Sequence, residues 1–333
     1  MTNRQIIVTE LPQGALMPDH FSLQEAPMPE PAEGEVLLRT ILMSIDAANR
    51  SWMQGATYRD AVKAGDVMAT YAICEVVESR SPRHSKGDIV AAESTWSDYV
   101  TLPAHEVQSV PDARPLSNLM SVYGIAGKTV YHGLISVGRA MAGETVLVSA
   151  AAGSVGGYVG QIARAMGCRV VGIAGGPEKC KWVVDELSFD ACVDYRDPGF
   201  FKALRAACPD GVDVYFDNVG GSVLESALFV MNERGRVVCC GAISQYDSTS
   251  PSGPRNLPGL VVVKRLRMEG FIVLDYAARF PEAIQTLSGH LASGELKHRE
   301  TIFEGFEQLP ASLINLFSGG NIGKQLVAVH PGK

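Results

Sequence analysis

The chain has 333 residues, of which 46% are hydrophobic and 20% charged, with a formal net charge of -7 at pH 7. This length predicts about two domains, and the acidic balance offers no basic surface for nucleic acid. No stretch reaches the ~18 apolar residues of a membrane span, and the first residues, MTNRQIIVTELPQG, show no signal-peptide pattern. We therefore expect a cytoplasmic protein that binds neither nucleic acid nor membranes.

The seven cysteines and seven histidines are scattered through the chain. The cysteines form no C-x-x-C pair, and no histidine has a partner at a metal-ligand spacing such as H-E-x-x-H. We expect the cysteines to remain thiols, most of them in the core, and we expect no metal site.

Residues 1 to about 120 contain short apolar runs broken by proline and glycine, such as RQIIVTE, MATYAICEVVES and KGDIVAAESTWSDYVTL. These runs are typical of strands in a compact β-rich domain. From ETVLVSA onward, apolar strands alternate with helical stretches: strand 145–149, helix 154–167, strand RVVGIA, helix 177–187, strand ACVDY, helix 200–207, strand DVYFDN, helix 222–231 and strand RVVCCGAI. This alternation predicts an α/β domain with a doubly wound parallel sheet of the Rossmann type.

Three later segments complete this pattern. RLRMEGFIVL predicts a sixth strand of the parallel sheet, and STSPSGPRNLPG (248–259) predicts a long loop because it is polar and rich in proline. The tail, ETIFEGFEQLPASLINLFSGGNIGKQLVAV, ends in a helix and a strand that fit the parallel sheet poorly. We expect this tail to return to the first domain.

The turn after the first strand of the alternating region reads AAAGSVGG (150–157). In the dinucleotide-binding pattern G-x-G-x-x-G, Ala151 replaces the first glycine, while Gly153 and Gly156 remain. The second glycine lets the backbone approach the phosphates and the third lets helix and strand pack closely. The pattern therefore predicts a dinucleotide site, and the alternative is a small-residue contact between helix and sheet without a ligand.

The end of the second strand distinguishes the two common dinucleotides. NAD-binding proteins place an acidic residue there for the ribose 2′-hydroxyl, whereas this chain reads GIAGGPEKCKW. Glu178 comes late and suits the N-terminus of the next helix, and Lys179 offers a positive charge. The absent acid favours NADP(H), with a solvated helix residue as the alternative role for Lys179.

These segments carry a family resemblance. AAAGSVGGYVGQIARAMGCRVVGIAGGPEKC, VYFDNVGG, CCGAISQY and GNIGK, together with PEPAEGEVLLRTILMSID and SDYVTLP, resemble the zinc-independent medium-chain dehydrogenase/reductase superfamily. The most similar branch contains prostaglandin reductase (leukotriene B4 12-hydroxydehydrogenase), curcumin reductase and alkenal double-bond reductases. The resemblance implies a GroES-like substrate domain over residues 1–120, rejoined by about 300–333, and a Rossmann NADP(H)-binding domain over 121–299.

The resemblance also implies an activity and a set of site residues. The activity is NADPH-dependent reduction of the C=C bond of α,β-unsaturated carbonyl compounds by hydride transfer to the β-carbon, in a homodimer. The implied cofactor contacts are Thr129, Gly153, Ser154, Val155, Gly156, Lys179, Tyr195, Asn218, Cys240, Gly241, Ala242, Ile243, Ser244, Phe271, Ile272, Val273 and Asn321. Taken singly, Asn218 also suits a turn cap, Phe271 the core and Tyr195 the end of a strand.

The first domain departs from the family pattern where the substrate is expected. Many relatives read D-P-Y-M-R where this chain reads DAANR (46–50), and Thr70 and Tyr71 replace small residues. The candidate substrate-pocket residues are Arg50, Tyr58, Tyr71, Trp96 and Tyr246, and the aromatic ones equally suit packing. The cysteine and the G-H-E of zinc-dependent relatives are absent from the matching segments.

Two further functions stay open at this point. A quinone or carbonyl reductase would share the cofactor site and differ in where hydride is delivered, and a non-catalytic NADPH-binding protein would have lost the chemistry. The resemblance implies a catalytic role for Tyr246, whose phenol polarises the carbonyl and helps to protonate the enolate. Its alternative role is to line the pocket.

Overall fold

The structure is a computed structural model that describes residues 2–250 and 252–330. The strands are β1 (Thr2–Val8), β2 (Phe21–Pro27), β3 (Glu35–Ile45), β4 (Ala69–Ser79), β5 (Ile89–Thr95), β6 (Tyr99–Pro103), β7 (Gln108–Ser109), β8 (Thr145–Ser149), β9 (Arg169–Ala174), β10 (Ala191–Asp194), β11 (Val212–Asp217), β12 (Met231–Cys239), β13 (Arg267–Gly270), β14 (Glu300–Glu304) and β15 (Lys324–Ala328). The α-helices are α1 (Ala47–Ser51), α2 (Ile125–Tyr131), α3 (Ser154–Ala165), α4 (Pro177–Leu187), α5 (Phe200–Ala207), α6 (Gly221–Val230), α7 (Ile243–Tyr246), α8 (Leu257–Lys264), α9 (Phe280–Ala292) and α10 (Leu309–Phe317). Four short 3-10 helices (Pro18–His20, Leu116–Leu119, Val273–Arg279, Phe306–Gln308) and one π-helical turn (His132–Val137) complete the elements.

The chain divides into two compact units. One combines the chain up to Met120 with the chain from Glu300 onward, and the other runs from Ser121 to Arg299. Within residues 2–250 and 252–330, no helix is both long and apolar enough to cross a bilayer.

The first unit is built on a seven-stranded sheet with the order β14-β15-β3-β4-β5-β7, in which β6 also pairs with β3. The strand β3 (EVLLRTILMSI) is buried along most of its length and is central in the sheet, with β4 on one side and β15 and β6 on the other. The tail of the chain supplies β15, which pairs antiparallel with β3 and sets Gln325 opposite Ile45. Residues such as Leu38, Trp96 and Phe306 fill the core of this unit.

The second unit has a six-stranded parallel sheet with the order β10-β9-β8-β11-β12-β13. This order reverses at β8, whose neighbours are β9 on one side and β11 on the other. Open sheets of this kind bind ligands at the carboxyl ends of the strands on either side of such a reversal. The doubly wound α/β architecture predicted from the alternating pattern is confirmed. The crevice at the carboxyl ends of β8 and β11 is therefore the expected ligand site.

Two predicted elements differ in the structure. The predicted sixth strand, RLRMEGFIVL, is ordered as a strand only over Arg267–Gly270, because its one neighbour, β12, ends at Cys239, opposite Gly270. Phe271 and the residues after it therefore leave the sheet, and a 3-10 helix begins at Val273. The predicted loop 248–259 is shorter than expected, since α8 begins at Leu257 with a proline in its first turn, where proline is favoured.

Candidate cofactor and active site

In the turn between β8 and α3, the residue with a left-handed backbone conformation is Ala150 and not Ala151. Ala150 has φ of 52°, which costs a non-glycine residue about 1–2 kcal/mol. Ala151 is fully buried and donates its N–H to the carbonyl oxygen of Ile173 at 3.0 Å. The first glycine of the dinucleotide pattern is therefore dispensable here, because the strained position lies one residue earlier.

The third glycine, by contrast, is required by close packing. A Cβ on Gly156 would lie 2.3 Å from the carbonyl oxygen of Ala150, closer than real Cβ atoms approach. A Cβ on Gly153 would lie 3.2 Å from the same oxygen, a tight contact that a small shift relieves. The approach of α3 to the strand thus depends on Gly156 far more than on Gly153.

The first turn of α3 offers hydrogen-bond donors and an unused hydroxyl. Helices leave their first N–H groups without intrahelical partners and carry positive charge at this end, which suits phosphate. The Oγ of Ser154 is buried and has no hydrogen-bond partner among the described residues. Val155, next to it, packs on the core of this unit. These groups fit a dinucleotide pyrophosphate at the turn.

Asp217, at the end of β11, organises the loop that faces this turn. One carboxylate oxygen accepts hydrogen bonds from the Tyr215 hydroxyl at 2.7 Å, the Gly220 N–H at 2.9 Å and the Val219 N–H at 3.0 Å. Burial raises the pKa of Asp217, and these hydrogen bonds oppose that rise. Asp217 therefore holds the backbone after β11 in one conformation.

Asn218 is held in place by β8. Its Nδ2 donates to the Ser149 carbonyl oxygen at 2.8 Å, and its N–H donates to the Ser149 Oγ at 2.9 Å. Its own carbonyl oxygen accepts the N–H of Ile243 at 3.2 Å, and Ser244 Oγ donates to the Val219 carbonyl oxygen at 2.6 Å. The loops after β8, β11 and β12 are thus joined at the carboxyl edge of the sheet.

Tyr246 ends the short helix α7 and folds back over this edge. Its hydroxyl oxygen accepts the N–H of Ala242 at 3.3 Å. The site of a Cβ on Gly241 lies 3.7 Å from the same oxygen, so the phenol rests against the segment from Cys240 to Ala242. The structure therefore brings the sequence-predicted residues Asn218, 240–244 and Tyr246 together.

A second group gathers after β9. The side chains of Tyr195 and Arg196 close over Gly175, where an added Cβ would meet Tyr195 Cε1 at 2.9 Å and Arg196 Nε at 3.1 Å. Burial lowers the pKa of the nearby Lys179 ammonium, and the charge of Arg196 lowers it further. The nearby acid, Asp194, uses one carboxylate oxygen to accept the backbone N–H groups of Gly176 and Arg196, each at 2.9 Å.

Two cations near each other repel, and an anion between them relieves that repulsion. Lys179 and Arg196 therefore fit the 2′-phosphate of NADP(H). Arg196 was not among the residues predicted from the sequence. Arg196 directly follows Tyr195, in the turn after β10, the strand next to β9. The missing acid at the end of β9 had already favoured a phosphate, so a basic residue in the neighbouring turn was the signal that could have identified it.

The remaining predicted contacts of this unit lie on α2 and after β13. Thr129 is 8% exposed on α2. Phe271 packs on the π-helical turn, where a Cβ on Gly133 would lie 2.8 Å from its Cζ. Ile272 is 38% exposed, and Val273 opens the 3-10 helix. Phe271 and Ile272 lie in a turn and Val273 in a helix, so the predicted strand Phe271–Val273 is wrong.

Asn321 and the predicted pocket residues Arg50 and Trp96 belong to the first unit. Asn321 is 8% exposed and donates its Nδ2 to the Gly323 carbonyl oxygen at 3.1 Å. Arg50 is 2% exposed, and its Nη2 donates to the carbonyl oxygen of Gly14 at 3.0 Å. Trp96 is fully buried, with its ring centroid 5.4 Å from that of Phe21. Arg50 and Trp96 thus occupy core positions.

Tyr58 and Tyr71 lie nearer the surface of the first unit. Tyr58 is 45% exposed, and its hydroxyl accepts the indole N–H of Trp52 at 3.2 Å. The Tyr71 hydroxyl donates to the Glu93 carboxylate at 2.6 Å. Burial raises the pKa of both phenols, so both are protonated at neutral pH.

Metal-ligating side chains do not gather in the described part of the chain. Within residues 2–250 and 252–330, no three His, Cys, Asp or Glu side chains form a group that could hold a metal ion. The free cysteines among these residues are buried or half-buried thiols.

Comparison with known families matches both units. Residues 4–110 match the family described as the N-terminal domain of oxidoreductase, and residues 154–289 match the family described as zinc-binding dehydrogenase.

Curated proteins and solved structures match over almost the whole chain. The NADPH-dependent curcumin reductase of Escherichia coli (strain K12) is 39% identical, covering 98% of this chain and 97% of the relative. The 2-alkenal reductase (NADP(+)-dependent) of Nicotiana tabacum is 36% identical, covering 99% and 98%. The crystal structure of CurA in complex with NADPH from Vibrio vulnificus superposes with a TM-score of 0.94 at 36% identity, covering 99% of this chain and 100% of that one.

Proposed function

The chain belongs to the medium-chain dehydrogenase/reductase superfamily, in the branch of the curcumin, prostaglandin and 2-alkenal reductases, and from this membership we propose that it reduces the C=C bond of α,β-unsaturated carbonyl compounds. It is an NADP-dependent oxidoreductase. The observation that carries the proposal is the agreement among full-length relatives, which include reductases named for 2-alkenals, curcumin and (+)-pulegone. Each of these compounds has a carbon–carbon double bond conjugated to a carbonyl group.

NADP(H) is the cofactor, and the residues of the second unit fit it. We assign the pyrophosphate to the N-terminus of α3 with Ser154, the 2′-phosphate to Lys179 and Arg196, and the adenosine end to Tyr195. When bound, NADPH supplies the hydride that adds to the β-carbon of the substrate. Thr129, Asn218, the segment Cys240–Ser244 and Phe271–Val273 are proposed to hold the rest of the cofactor, with Asn321 of the first unit.

Tyr246 is proposed to act on the substrate oxygen. As hydride reaches the β-carbon, negative charge develops on the carbonyl oxygen, and a positioned hydrogen-bond donor stabilises that charge. The hydroxyl oxygen of Tyr246 accepts the N–H of Ala242, and this contact helps to hold the phenol at the carboxyl edge of the sheet. The enolate then takes one proton at the α-carbon, delivered by the Tyr246 hydroxyl or by water, so that this proton and the hydride at the β-carbon together saturate the double bond.

The proposed reaction assigns no step to zinc. The sequence has ATY at residues 69–71, where zinc-dependent relatives place G-H-E, and it has no cysteine in the segment around Asp46. We further propose that Tyr58 and Tyr71 lie on the substrate side of the first unit. We also propose a homodimer, which the family resemblance implies, and a cytoplasmic location.

The test is NADPH consumption against a panel of enones, enals, quinones and saturated aldehydes, run with and without a chelator. We expect enones and enals to be reduced at rates that chelation leaves intact. Product formed from 4-deuterated NADPH is expected to carry deuterium at the β-carbon. Deuterium on the carbonyl carbon would make the protein a carbonyl reductase, and turnover confined to quinones would also contradict the proposal.

A further inference from the structure

Two cysteines from neighbouring elements of the second unit meet at the β10 edge of its sheet. Cys180 lies near the start of α4, where its N–H donates to the Gly176 carbonyl oxygen at 3.2 Å, and Cys192 lies in β10. The Cys192 thiol donates a hydrogen bond to the Cys180 sulfur, and both side chains are half-buried. A Cβ on Gly172, in the neighbouring strand β9, would lie 3.2 Å from the Cys192 sulfur. The two sulfurs therefore meet between the helix and the sheet.

The backbone holds the start of α4 against the end of β10. Side chains two residues apart in a strand lie on the same face of its sheet, so Asp194 shares a face with Cys192. The carboxylate of Asp194 accepts the N–H of Gly176, the residue before α4, at 2.9 Å. The N–H of Tyr195 donates to the Ala174 carbonyl oxygen at 3.1 Å, which ties the turn after β10 to the end of β9. The contact between the thiols thus joins two elements whose positions are already fixed.

The two thiols have different surroundings, which suit different chemical roles. The hydrogen bond from Cys192 lowers the pKa of the Cys180 thiol, burial and the charge of Asp194 oppose this, and the N–H of Ala174 lowers it further. The N-terminal end of a helix also favours a thiolate. The hydrogen bond to Cys180 and burial raise the pKa of Cys192. Because the thiolate is the form that reacts with oxidants, Cys180 is the sulfur to be oxidised first.

The remaining five cysteines are protected from this reaction. Burial raises the pKa of each of their thiols to about 11 or about 12, so they stay protonated at neutral pH. They are Cys74, Cys168, Cys208, Cys239 and Cys240.

We propose that Cys180 and Cys192 form a peroxide-sensitive site, whose oxidation to a disulfide weakens NADP(H) binding. The Cys180 thiolate attacks hydrogen peroxide, the O–O bond breaks, and a sulfenic acid and hydroxide result. The Cys192 sulfur then attacks the Cys180 sulfur, the S–OH bond breaks, and the departing hydroxide leaves as water with the Cys192 proton. In sum, two thiols lose two electrons and two protons, and one peroxide becomes two molecules of water.

The effect on the cofactor follows from the position of the pair, and it rests on the proposed assignment of the 2′-phosphate to Lys179 and Arg196. Lys179 directly precedes Cys180 in the sequence. A covalent bond between the sulfurs is shorter than the hydrogen bond that it replaces, so the start of α4 must move toward β10. This movement displaces Lys179 from the 2′-phosphate. NADH has no phosphate at this position, so its binding should change less.

The first experiment locates the oxidised thiols. The purified protein is treated with hydrogen peroxide, the remaining thiols are alkylated with iodoacetamide under denaturing conditions, and the peptides are mapped by mass spectrometry. We expect a disulfide between the peptides of Cys180 and Cys192, with the other five cysteines alkylated. In Cys192→Ser, dimedone should trap the sulfenic acid on Cys180. If Cys180 remains a free thiol in the treated unmutated protein, or forms a disulfide with another cysteine, the site is overturned.

The second experiment measures cofactor affinity after the peroxide is removed. Fluorescence titration should show that oxidation weakens NADPH binding about tenfold, the loss expected for one charged hydrogen bond, and that dithiothreitol restores it. Cys208→Ser, which removes a buried thiol of the same unit, should respond like the unmutated protein, whereas the NADPH affinity of Cys180→Ser should not respond to peroxide.

The outcomes separate the dithiol site from the other proposals. A disulfide with unchanged NADPH affinity would overturn the effect on the cofactor, and so would equal weakening of NADPH and NADH. A loss of affinity in peroxide-treated Cys180→Ser would assign the effect to another residue and overturn it as well. Neither experiment uses an enone, so failure of the proposed reductase activity would leave these results unchanged.

Discussion

Lys324 and Asp46 form an ion pair although they are 278 positions apart in the sequence. The Lys324 side chain is 2% exposed and that of Asp46 is 43% exposed. Lys324 opens β15, and Asp46 follows β3 directly, so the pair joins the tail of the chain to the sheet of the first unit.

The first prediction concerns this pair. Asp46→Asn leaves a buried ammonium without its counter-charge, and we expect a loss of about 1–3 kcal/mol in the free energy of unfolding, below the full value for a buried pair because Asp46 is half-exposed. Lys324→Met removes the buried charge and should cost less. Urea unfolding of the two variants and of the double variant measures both effects. A larger loss for Lys324→Met than for Asp46→Asn would contradict this account.

Sequence patterns predict the parallel sheet well because its strands alternate with helices over nearly 100 residues. The prediction of strand length fails for β13, at the edge of this sheet. The strand around Met268 has a neighbour on one side only, and its length is set by where β12 ends, at Cys239. An apolar run such as GFIVL does not contain that information, since the limiting residue lies elsewhere in the chain.

The residues of the candidate site also divide into those that the sequence predicts and those that only the structure reveals. Gly153, Gly156 and Lys179 follow from local spacing, because a strand, a turn and a helix lie consecutively in the sequence. Arg196 was missed because its significance depends on which acids are already occupied. Only the structure reveals that Asp194 is bound to backbone N–H groups.

The second prediction separates the two glycines of the dinucleotide turn. Gly156→Ala forces a Cβ against the Ala150 carbonyl oxygen, and since both atoms belong to the backbone framework, α3 must shift. We expect a loss of about 1–3 kcal/mol in stability together with a clear loss of NADPH affinity. Gly153→Ala, whose Cβ needs a shift of a few tenths of an ångström, is the matched control for stability and should retain most of it. Similar losses of stability in the two variants would refute the packing argument.

The third prediction concerns the choice between NADPH and NADH. A charged hydrogen bond is typically worth ~1.5–3 kcal/mol, which corresponds to about ten- to a hundredfold in affinity. Lys179→Ala and Arg196→Gln should each weaken NADPH binding while leaving NADH binding unchanged. Lys181→Ala, on the same helix but paired with Asp185, serves as the control. Fluorescence titration of both cofactors measures this, and equal affinity for the two cofactors in the unmutated protein would rule out the assignment.

The fourth prediction concerns pH and His132. This histidine is fully buried and stacks on Tyr276 with ring centroids 4.6 Å apart. Burial lowers the pKa of His132, Arg279 lowers it further, and Glu282 opposes this. Below the unfolded value of 6.5, the unfolded chain takes up a proton that the folded protein does not, so stability falls as pH drops from about 6.5 toward the folded pKa.

His132→Gln removes the contribution of His132 to the pH dependence of folding stability. We expect the variant to be less stable at pH 7.5, because it loses the stacking on Tyr276, but to lose less stability between pH 7.5 and 5.5 than the unmutated protein. Urea unfolding at the two pH values gives the four free energies required. An equal drop in both proteins would show that His132 does not titrate in this range.

The last prediction concerns Tyr246 and the chemical step. The reaction places negative charge on the substrate oxygen only as the hydride arrives, so a donor aimed at that oxygen stabilises the transition state more than the bound substrate. Tyr246→Phe keeps the ring but removes the hydroxyl, and loss of one such donor typically costs ~10²–10³ in kcat.

We therefore expect Tyr246→Phe to lower kcat on an accepted enone by about 10- to 100-fold, because water provides partial replacement, with a smaller change in KM. The Ala242 N–H also loses its acceptor in this variant, so NADPH affinity must be titrated to separate a displaced loop from a lost donor. Single-turnover rates at saturating NADPH then report the chemical step alone. An unchanged rate would reduce Tyr246 to a residue that lines the pocket, whereas a slow rate with unchanged NADPH affinity would place its phenol at the reacting oxygen.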